Sequence, residues 1–427
     1  MMWHLQRLLH SVNQAVSAPA RNPRMAVVIG RLLGAAFLIC FATGIYSHFI
    51  QEPLPWMVFP TRPIWLYQVS QGVHITAGIL CFPLLFAKLY TVFPELFATP
   101  PVRSFSHFLE RVSIAVFVAA SLVQITIGLL NTYQWYALFP FPFRQTHYAL
   151  SFVIIGSLAI HIAVKLQTIQ QYWSKKNSYE ADGVTVVPAI NPHVSTSLNG
   201  PDKPVIDTQP YAGVTGRIVN WIEATPKPAP APSRRGFLVI VGVVSASLVT
   251  LTAGQSFRLL DGTNIFAPRK NNVGPNSLPV NRTAMAAKVT ESATDAAWVL
   301  TVTNGATSKT FTRAQLLALP QHEAQLPIAC VEGWSQMASW KGPRLRDLAD
   351  AVGAKSGDSL RAISLEQKSS YARTTVFPEY VRDELTLVAL EVNGETLDLD
   401  HGYPARLIAP GRPGVLQTKW LSSIEVL

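Results

Sequence analysis

Five apolar runs dominate this chain, at about Met25 to Tyr46, Ile64 to Phe93, Phe108 to Leu130, Thr146 to Leu166 and Phe237 to Ala253. Each is long enough to cross a bilayer, which takes roughly 20 residues in a helix. In hydrocarbon every backbone N–H and C=O must be satisfied within the segment, so runs of this kind can only be helices. A composition of 49% hydrophobic and 14% charged residues over 427 is too apolar for a purely soluble chain. The expected architecture is an all-α transmembrane four-helix bundle with one further anchor helix, followed by a soluble α+β domain.

Charge placement gives an orientation. Arg7, Arg21 and Arg24 precede the first run; Lys88, Arg103 and Arg111 border the loop between the second and third; Lys165, Lys175 and Lys176 follow the fourth. The opposite loops carry only Arg62 and Arg144. Positive residues stay on the cytoplasmic side, so five spans put the N-terminus inside and the C-terminal domain outside, in a bacterial plasma membrane. Residues 1–253 hold 17 Lys and Arg against 8 Asp and Glu, while residues 254–427 hold 18 against 17. Of the net +10, nine charges therefore belong to residues 1–253, and nucleic acid is not an expected partner.

Ser233-Arg234-Arg235-Gly236-Phe237-Leu238 stands directly before the fifth run and reads as a twin-arginine signal. The twin-arginine translocase is then a partner, and it moves domains that have already folded, commonly around an inserted cofactor. No Ala-x-Ala cleavage site follows, so the fifth run is expected to remain as an anchor. Upstream, Thr225 to Pro232 alternates Pro with Lys and Ala, a semi-rigid linker composition. These signals divide the chain into a cytoplasmic N-terminus (1–24), a helical membrane domain (25–170), a Pro-rich linker (171–232), the signal and fifth helix (233–254), a tether (255–277) and a soluble domain (278–427).

Seven of the ten histidines precede residue 170. Ionisable groups at membrane depth are costly and mark function by default. His147 and His161 are 14 residues apart on the fourth run; at 3.6 residues per turn they return to within ~40° of one face, ~21 Å apart along the axis. His74 lies in the second run at a depth nearer His147, so His74 with His147 is the expected axial pair, and His161 marks a second depth. His107 is a candidate partner for His161; the first run offers only His48, at its far end. This arrangement resembles the four-helix cytochrome b subunits of membrane formate dehydrogenases and hydrogenases. The resemblance implies one or two b-type haems and exchange of electrons with the quinone pool.

Beyond the tether the signals are those of a mixed domain. Trp298 to Thr303 alternates and closes on Asn304-Gly305, a hairpin signal. Arg344 to Val352 reads as a helix; Leu360 to Glu366, Leu385 to Val392, Ala405 to Ile408 and Trp420 to Leu427 read as strands. Cys40 and Cys81 lie in apolar runs, which leaves Cys330 as the one cysteine of this region. No disulfide can form within it, and a lone thiol there is either inert packing or a ligand.

Leu326-Pro327-Ile328-Ala329-Cys330-Val331-Glu332-Gly333-Trp334-Ser335, with Trp340-Lys341-Gly342 after it, resembles the molybdenum-binding segment of the sulfite oxidase fold. Within that fold it is most similar to the bacterial periplasmic methionine sulfoxide reductase catalytic subunits. His401-Gly402-Tyr403-Pro404-Ala405-Arg406-Leu407, Pro410-Gly411-Arg412-Pro413-Gly414 and Lys419-Trp420-Leu421 resemble the closing pattern of the same family. The resemblance covers Leu278 to Leu427. It implies a molybdopterin cofactor with Cys330 as the thiolate on molybdenum. Arg406 and Lys419 would hold the pterin and its phosphate, in the company of Arg412, and Asn281 with Arg282 would form an amino-terminal pterin contact. His401 stands where the reductase carries asparagine. Arg373, in Ser369-Ser370-Tyr371-Ala372-Arg373, is a candidate contact for an anionic substrate. The chain stops after the last motif strand, without the sandwich domain of sulfite oxidases, which favours the reductase-like branch.

Together these features predict a membrane-bound, molybdopterin-dependent oxidoreductase. Oxygen-atom transfer outside the membrane would be coupled through b-type haem to the quinone pool, with a small, sulfoxide-like substrate. Two alternatives carry different chemistry: a quinone-reducing dehydrogenase of a small oxyanion, and a haem-free anchored binding module of the same fold.

Overall fold

The computed structural model describes residues 18–93, 95, 102, 104–138, 140–183, 185–188, 213–214, 216–217, 231–253 and 256–427. Arg7, Arg103 and most of the Pro-rich linker lie outside the described residues.

Five helices are long and apolar enough to cross a membrane: α1 Pro23–Gln51, α2 Leu66–Val92, α3 Phe105–Thr132, α4 Phe143–Val164 and α5 Arg234–Thr252. They fall on the five apolar runs, with α1 extended by about a turn beyond its expected end. Chain contacts divide into two compact units, and the division does not run at a single point in the sequence. One unit holds Met1–Phe41, Ala77–Leu130 and Tyr136–Leu248; the other holds Ala42–Thr76, Asn131–Trp135 and Val249–Leu427.

In the first unit, buried Leu33, Phe37, Leu85, Phe117, Ile125, Ile154 and Leu158 from α1, α2, α3 and α4 share one core. Two of its part-buried charged groups are paired. Lys88 Nζ donates to the Ala26 carbonyl at 2.8 Å, and Lys165 forms an ion pair with Glu110 at 2.5 Å.

The second unit is built on three sheets. Strands β1 Val299–Asn304, β2 Thr307–Thr312, β5 Leu360–Ser364, β6 Arg373–Val376 and β11 Leu421–Val426 form a five-stranded sheet in the order β2-β1-β11-β5-β6. The first and last strands pair parallel (Thr301 with Ser423) and the remaining neighbours antiparallel. Strands β3 His322–Ala329, β4 Ser335–Gly342, β8 Glu391–Val392 and β9 Glu395–Thr396 form a second sheet; β7 Leu387–Ala389 pairs with β10 Arg406–Ile408 in a third. The expected strand Leu385 to Val392 is thus two strands in two sheets, broken at Leu390. Gly342 allows the break, since a Cβ there would meet the Val388 carbonyl at 2.1 Å.

The hairpin forms as expected, but its two-residue loop is Gly305-Ala306, with Gly305 at φ +56° and Asn304 still paired to Thr307. Arg344 to Val352 condenses to helix α7 Leu345–Asp350, after a helix α6 Arg313–Ala318 that hydrophobic patterning did not signal. Its signal was chemical: Thr312 and Gln315 form a reciprocal capping box. Leu300, Val302, Leu348, Leu360, Val388, Leu407 and Ile424 join the sheets and α7 in one core.

Candidate active site

Cys330 follows the last residue of β3 and opens a tight turn into β4. Its N–H donates to the Trp334 carbonyl at 2.9 Å, and its carbonyl accepts from the Gly333 N–H at 3.0 Å. Gly333 sits at φ +98°, where an L side chain would be strained. The thiol is buried among Leu326, Ile328, Trp334, Trp340 and Ile408. Burial pushes it up from the ordinary cysteine range, and the neighbouring Glu332 carboxylate adds to that; the Glu332 N–H, Lys419 and Arg269 oppose it. A bare thiol here stays protonated, so a metal ligated by its sulfur must displace that proton.

The closing segments bring Arg406, Lys419 and Asn281 to the same place, while Arg412 is held separately against Thr375 and Tyr380. Gly402 sits at φ +111°, and a Cβ there would meet Lys419 Cα at 3.1 Å and Arg406 Cβ at 3.2 Å, an approach closed to a larger residue. Lys419 Nζ donates to Asn281 Oδ1 at 2.9 Å, to the Arg282 carbonyl at 3.0 Å and to the Asp400 carbonyl at 2.6 Å. Asn281 Nδ2 in turn lies 3.9 Å from Cys330 Sγ. The lysine thus organises the amide that faces the sulfur. Burial holds Lys419 down at about 7, with Arg406 adding to the effect.

Arg406 is 1% exposed; its Nη1 donates to the His401 carbonyl at 3.2 Å, while its Nε is buried without a hydrogen-bond partner among the described residues. Burial lowers it to about 9. Arg412 is 3% exposed, with Nη2 on the Thr375 carbonyl at 2.7 Å and Nη1 buried without a partner. Among the described residues neither arginine nor Lys419 has a carboxylate in ion-pair contact. Buried cations without counter-charge are costly by several kcal/mol each unless something compensates them.

Two expected contacts are placed otherwise. The Arg282 guanidinium pairs with buried Glu366 at 2.6 Å, so its contribution to the cluster is the backbone carbonyl that receives Lys419. His401 is buried with Nε2 on the Pro275 and Leu278 carbonyls at 2.9 and 3.2 Å, an arrangement that requires a proton on Nε2. Burial first, then Arg406 and Lys419, lower it to about 3, so the ring stays neutral and ties the segment before Asn281 to the closing motif. Arg373 is exposed on β6, where its backbone pairs with Ile363, and its side chain makes no hydrogen bond or ion pair among the described residues. It is joined to the cluster through Ser364, whose N–H bonds the Ala372 carbonyl at 2.8 Å and whose hydroxyl donates to the Lys419 carbonyl at 2.9 Å.

The sequence did not single out the residues that hold the Cys330 turn from the far side. The Val331 carbonyl accepts from Gln71 Nε2 and Asn131 Nδ2, each at 3.3 Å. Gln134 Nε2 donates to Glu332 Oε1 at 2.5 Å and to the Asn281 carbonyl at 2.7 Å, and the Ser256 hydroxyl donates to the Gly333 carbonyl. Burial raises the Glu332 carboxyl, which Gln134 and Arg269 oppose.

The histidines of the helices are described unit by unit. In the second unit His74 Nδ1 lies 3.1 Å from Thr43 Oγ1, and Gly44 leaves room for the ring. In the first, His147 faces Gly128 and packs on Phe143 with ring centres 5.2 Å apart. His161 stacks on Phe117 at 6.1 Å, and its Nδ1 is buried without a hydrogen-bond partner among the described residues.

Comparison with known proteins gives the C-terminal region its class. Residues 286–427 match the family model described as "Oxidoreductase molybdopterin binding domain". This region is similar to the molybdopterin-binding domain of sulfite oxidases. Among curated proteins it is 30% identical over 109 residues to an uncharacterized oxidoreductase, YuiH, of Bacillus subtilis, covering 25% of this chain and 54% of that protein. It is 33% identical over 104 residues to sulfite oxidase of Arabidopsis thaliana, covering 21% of this chain and 26% of the relative. A solved structure of the sulfane dehydrogenase SoxCD from Paracoccus pantotrophus matches at 26% identity, 31% and 38% coverage and a TM-score of 0.28. The chain thus spans about half, or less, of the length of these proteins.

The side chains fit the group this family holds. Among the described residues no three His, Cys, Asp or Glu side chains converge into a metal cage, so a metal at Cys330 must bring other ligands, as a pterin dithiolene does. An anionic pterin phosphate would be a suitable partner for guanidinium groups such as Arg406 and Arg412, which have no ion pair among the described residues.

Proposed function

We propose that this chain is a membrane-bound molybdopterin-dependent oxidoreductase whose four N-terminal helices form a haem-bearing bundle exchanging electrons with the quinone pool. The observation that carries the reading is the buried Cys330 thiol beside Asn281 and Lys419, in a domain whose buried arginines lack counter-charge. Molybdenum held by a pterin dithiolene would supply two-electron oxygen-atom exchange, and b-type haem would supply single-electron transfer.

The chain's own residues do the rest. Cys330 provides a soft thiolate ligand, and Asn281 presents its amide to that sulfur from a position fixed by Lys419. Arg406 and Arg412 bind oxyanions of the cofactor, for which a guanidinium fork is suited. His74 and His147 are the proposed axial ligands of one haem, with His161 at a second depth. A sulfoxide-like substrate follows from the similarity to the reductase branch. The exposed guanidinium of Arg373 favours a second reading, in which a small oxyanion is the substrate and electrons flow toward quinone. Metal and haem analysis of the detergent-purified full chain tests the proposal. Molybdenum near one equivalent and a low-spin b-type spectrum are expected, and a chain holding neither overturns it.

Export enters the same reading. The cytoplasmic flank of α5 carries Arg234 and Arg235, and a cofactor-loaded domain must cross the membrane folded. Replacing both by lysine keeps the charge but removes the paired guanidinium groups. The first four helices should insert as before while the C-terminal domain stays inside. Protease added to protoplasts should then fail to digest it, and undiminished digestion would reduce the pair to a topological charge.

A further inference from the structure

We infer that Gln134, Asn131 and Gln71, which belong to the helical half of the sequence, are positioning residues for the Cys330 sulfur. The inference rests on the proposal that Cys330 is a metal ligand.

The geometry is specific to the turn. Within the second compact unit, Gln71 lies in the first turns of α2, Asn131 in the last turn of α3, and Gln134 three residues beyond Asn131 at φ +59°. Such a conformation is uncommon for a glutamine and persists only where surrounding contacts fix it. Here the contacts are the Gln134 amide bonds. Its two N–H groups go to the two arms of the site, the Glu332 carboxylate at 2.5 Å and the Asn281 carbonyl at 2.7 Å. Asn281 carries the amide 3.9 Å from the sulfur, and Glu332 lies two residues beyond it. One side chain therefore fixes the distance between the sulfur-bearing turn and the amide facing it.

Gln71 and Asn131 add a second constraint by converging on one carbonyl, that of Val331, immediately after the cysteine. Both side chains are buried, at 7% exposure each, so water does not substitute readily for either. The strand end is fixed on its other side by packing: Ala329 is buried against Ile50 and Tyr67, again from α1 and α2. The cysteine is thus held before and after by residues that sequence reasoning would assign to an anchor. Groups that orient a metal ligand typically change metal affinity or activity by 10–100-fold when removed.

The experiment uses the full chain in detergent with Gln134→Leu, Gln71→Leu and Asn131→Ala, and with Gln321→Leu as control, since Gln321 bonds only the carbonyls around the end of α6. Two quantities are read. In protein produced without molybdenum cofactor, alkylation of Cys330, followed on its own peptide by mass spectrometry, should accelerate about tenfold in Gln134→Leu, the low end of that range. It should accelerate less in the other two variants and not at all in the control. In cofactor-loaded protein, the Mo(V) EPR g-values should shift in the same order at unchanged molybdenum content. Alkylation at the parent rate in all three variants overturns the inference. So does faster alkylation with unshifted g-values, which would make the amides packing for the turn and nothing more. If Gln134→Leu does not accumulate, the two milder variants decide by the same criteria. A parent chain without molybdenum would remove the proposed function, and the alkylation rates alone would then judge the positioning.

Discussion

Cys330→Ser is expected to leave the fold intact and to abolish molybdenum binding. The substitution is nearly isosteric, and Asn281 Nδ2, 3.9 Å from the sulfur, is available to donate to a serine hydroxyl, so the buried oxygen need not go unpaired. A hydroxyl is a poor ligand for a soft-metal site and is not deprotonated under conditions that give a thiolate. Turnover should fall on the order of 10³-fold or more, the scale seen when a group indispensable to the chemistry is removed. Elemental analysis of purified protein is the measurement. Parental molybdenum and parental turnover in the serine variant would remove Cys330 from the metal site.

The second large effect is expected at the helices. His74→Leu and His147→Leu should each eliminate the low-spin absorbance of a bis-histidine haem, because one remaining imidazole leaves the iron five-coordinate and weakly held. Neither change should unfold the helices, since leucine is a stronger helix former than histidine. Thr43, which loses His74 as its partner, can bond a carbonyl of its own helix. Molybdenum content should be unchanged in both variants. His161→Leu reports the number of haems: a partial loss of absorbance indicates two, and an undiminished spectrum leaves His161 as a packing residue on Phe117. If both single variants at His74 and His147 keep the full spectrum, the helical half is not the proposed electron carrier.

What could be read in the sequence follows the range of the forces involved. The five helices were legible because each is an unbroken apolar run of about 20 residues, the length that a bilayer crossing takes and a strong local signal. The hairpin at Gly305 was legible to within one residue because a tight turn is local chemistry. The molybdopterin-binding character of residues 286–427 was legible because the segments around Cys330, Arg406 and Lys419 keep a recognisable order. Their partners were not. Nothing local to Lys419 indicates that its three donors go to Asn281, Arg282 and Asp400, or that Arg282 turns away to Glu366. The break at Leu390 was hidden for the same reason, since it depends on how closely β4 approaches Val388 across Gly342. Helix α6 is a local element that was overlooked: its Thr312–Gln315 capping box was present in the letters.

Gln71 and Asn131 were invisible for a deeper reason. They meet Val331 across 260 and 200 residues, and Gln71 was accounted for as part of an apolar run while Asn131 stands directly after one. That separation has a thermodynamic consequence. The polar grip on the turn amounts to a few largely neutral hydrogen bonds of about 1 kcal/mol net each, and about 4 kcal/mol corresponds to a dissociation constant near 1 mM. Hydrogen bonds of that strength alone would scarcely hold two separate proteins together at cellular concentrations. Carried on one polypeptide, the same bonds close against an effective local concentration of the order of millimolar and need no further affinity. Covalent continuity thus adds to the other contacts of that unit, among them Arg62 with Asp383 at 2.8 Å and Tyr371 with Gln51 at 3.1 Å, and spares the turn the need for a tight-binding interface.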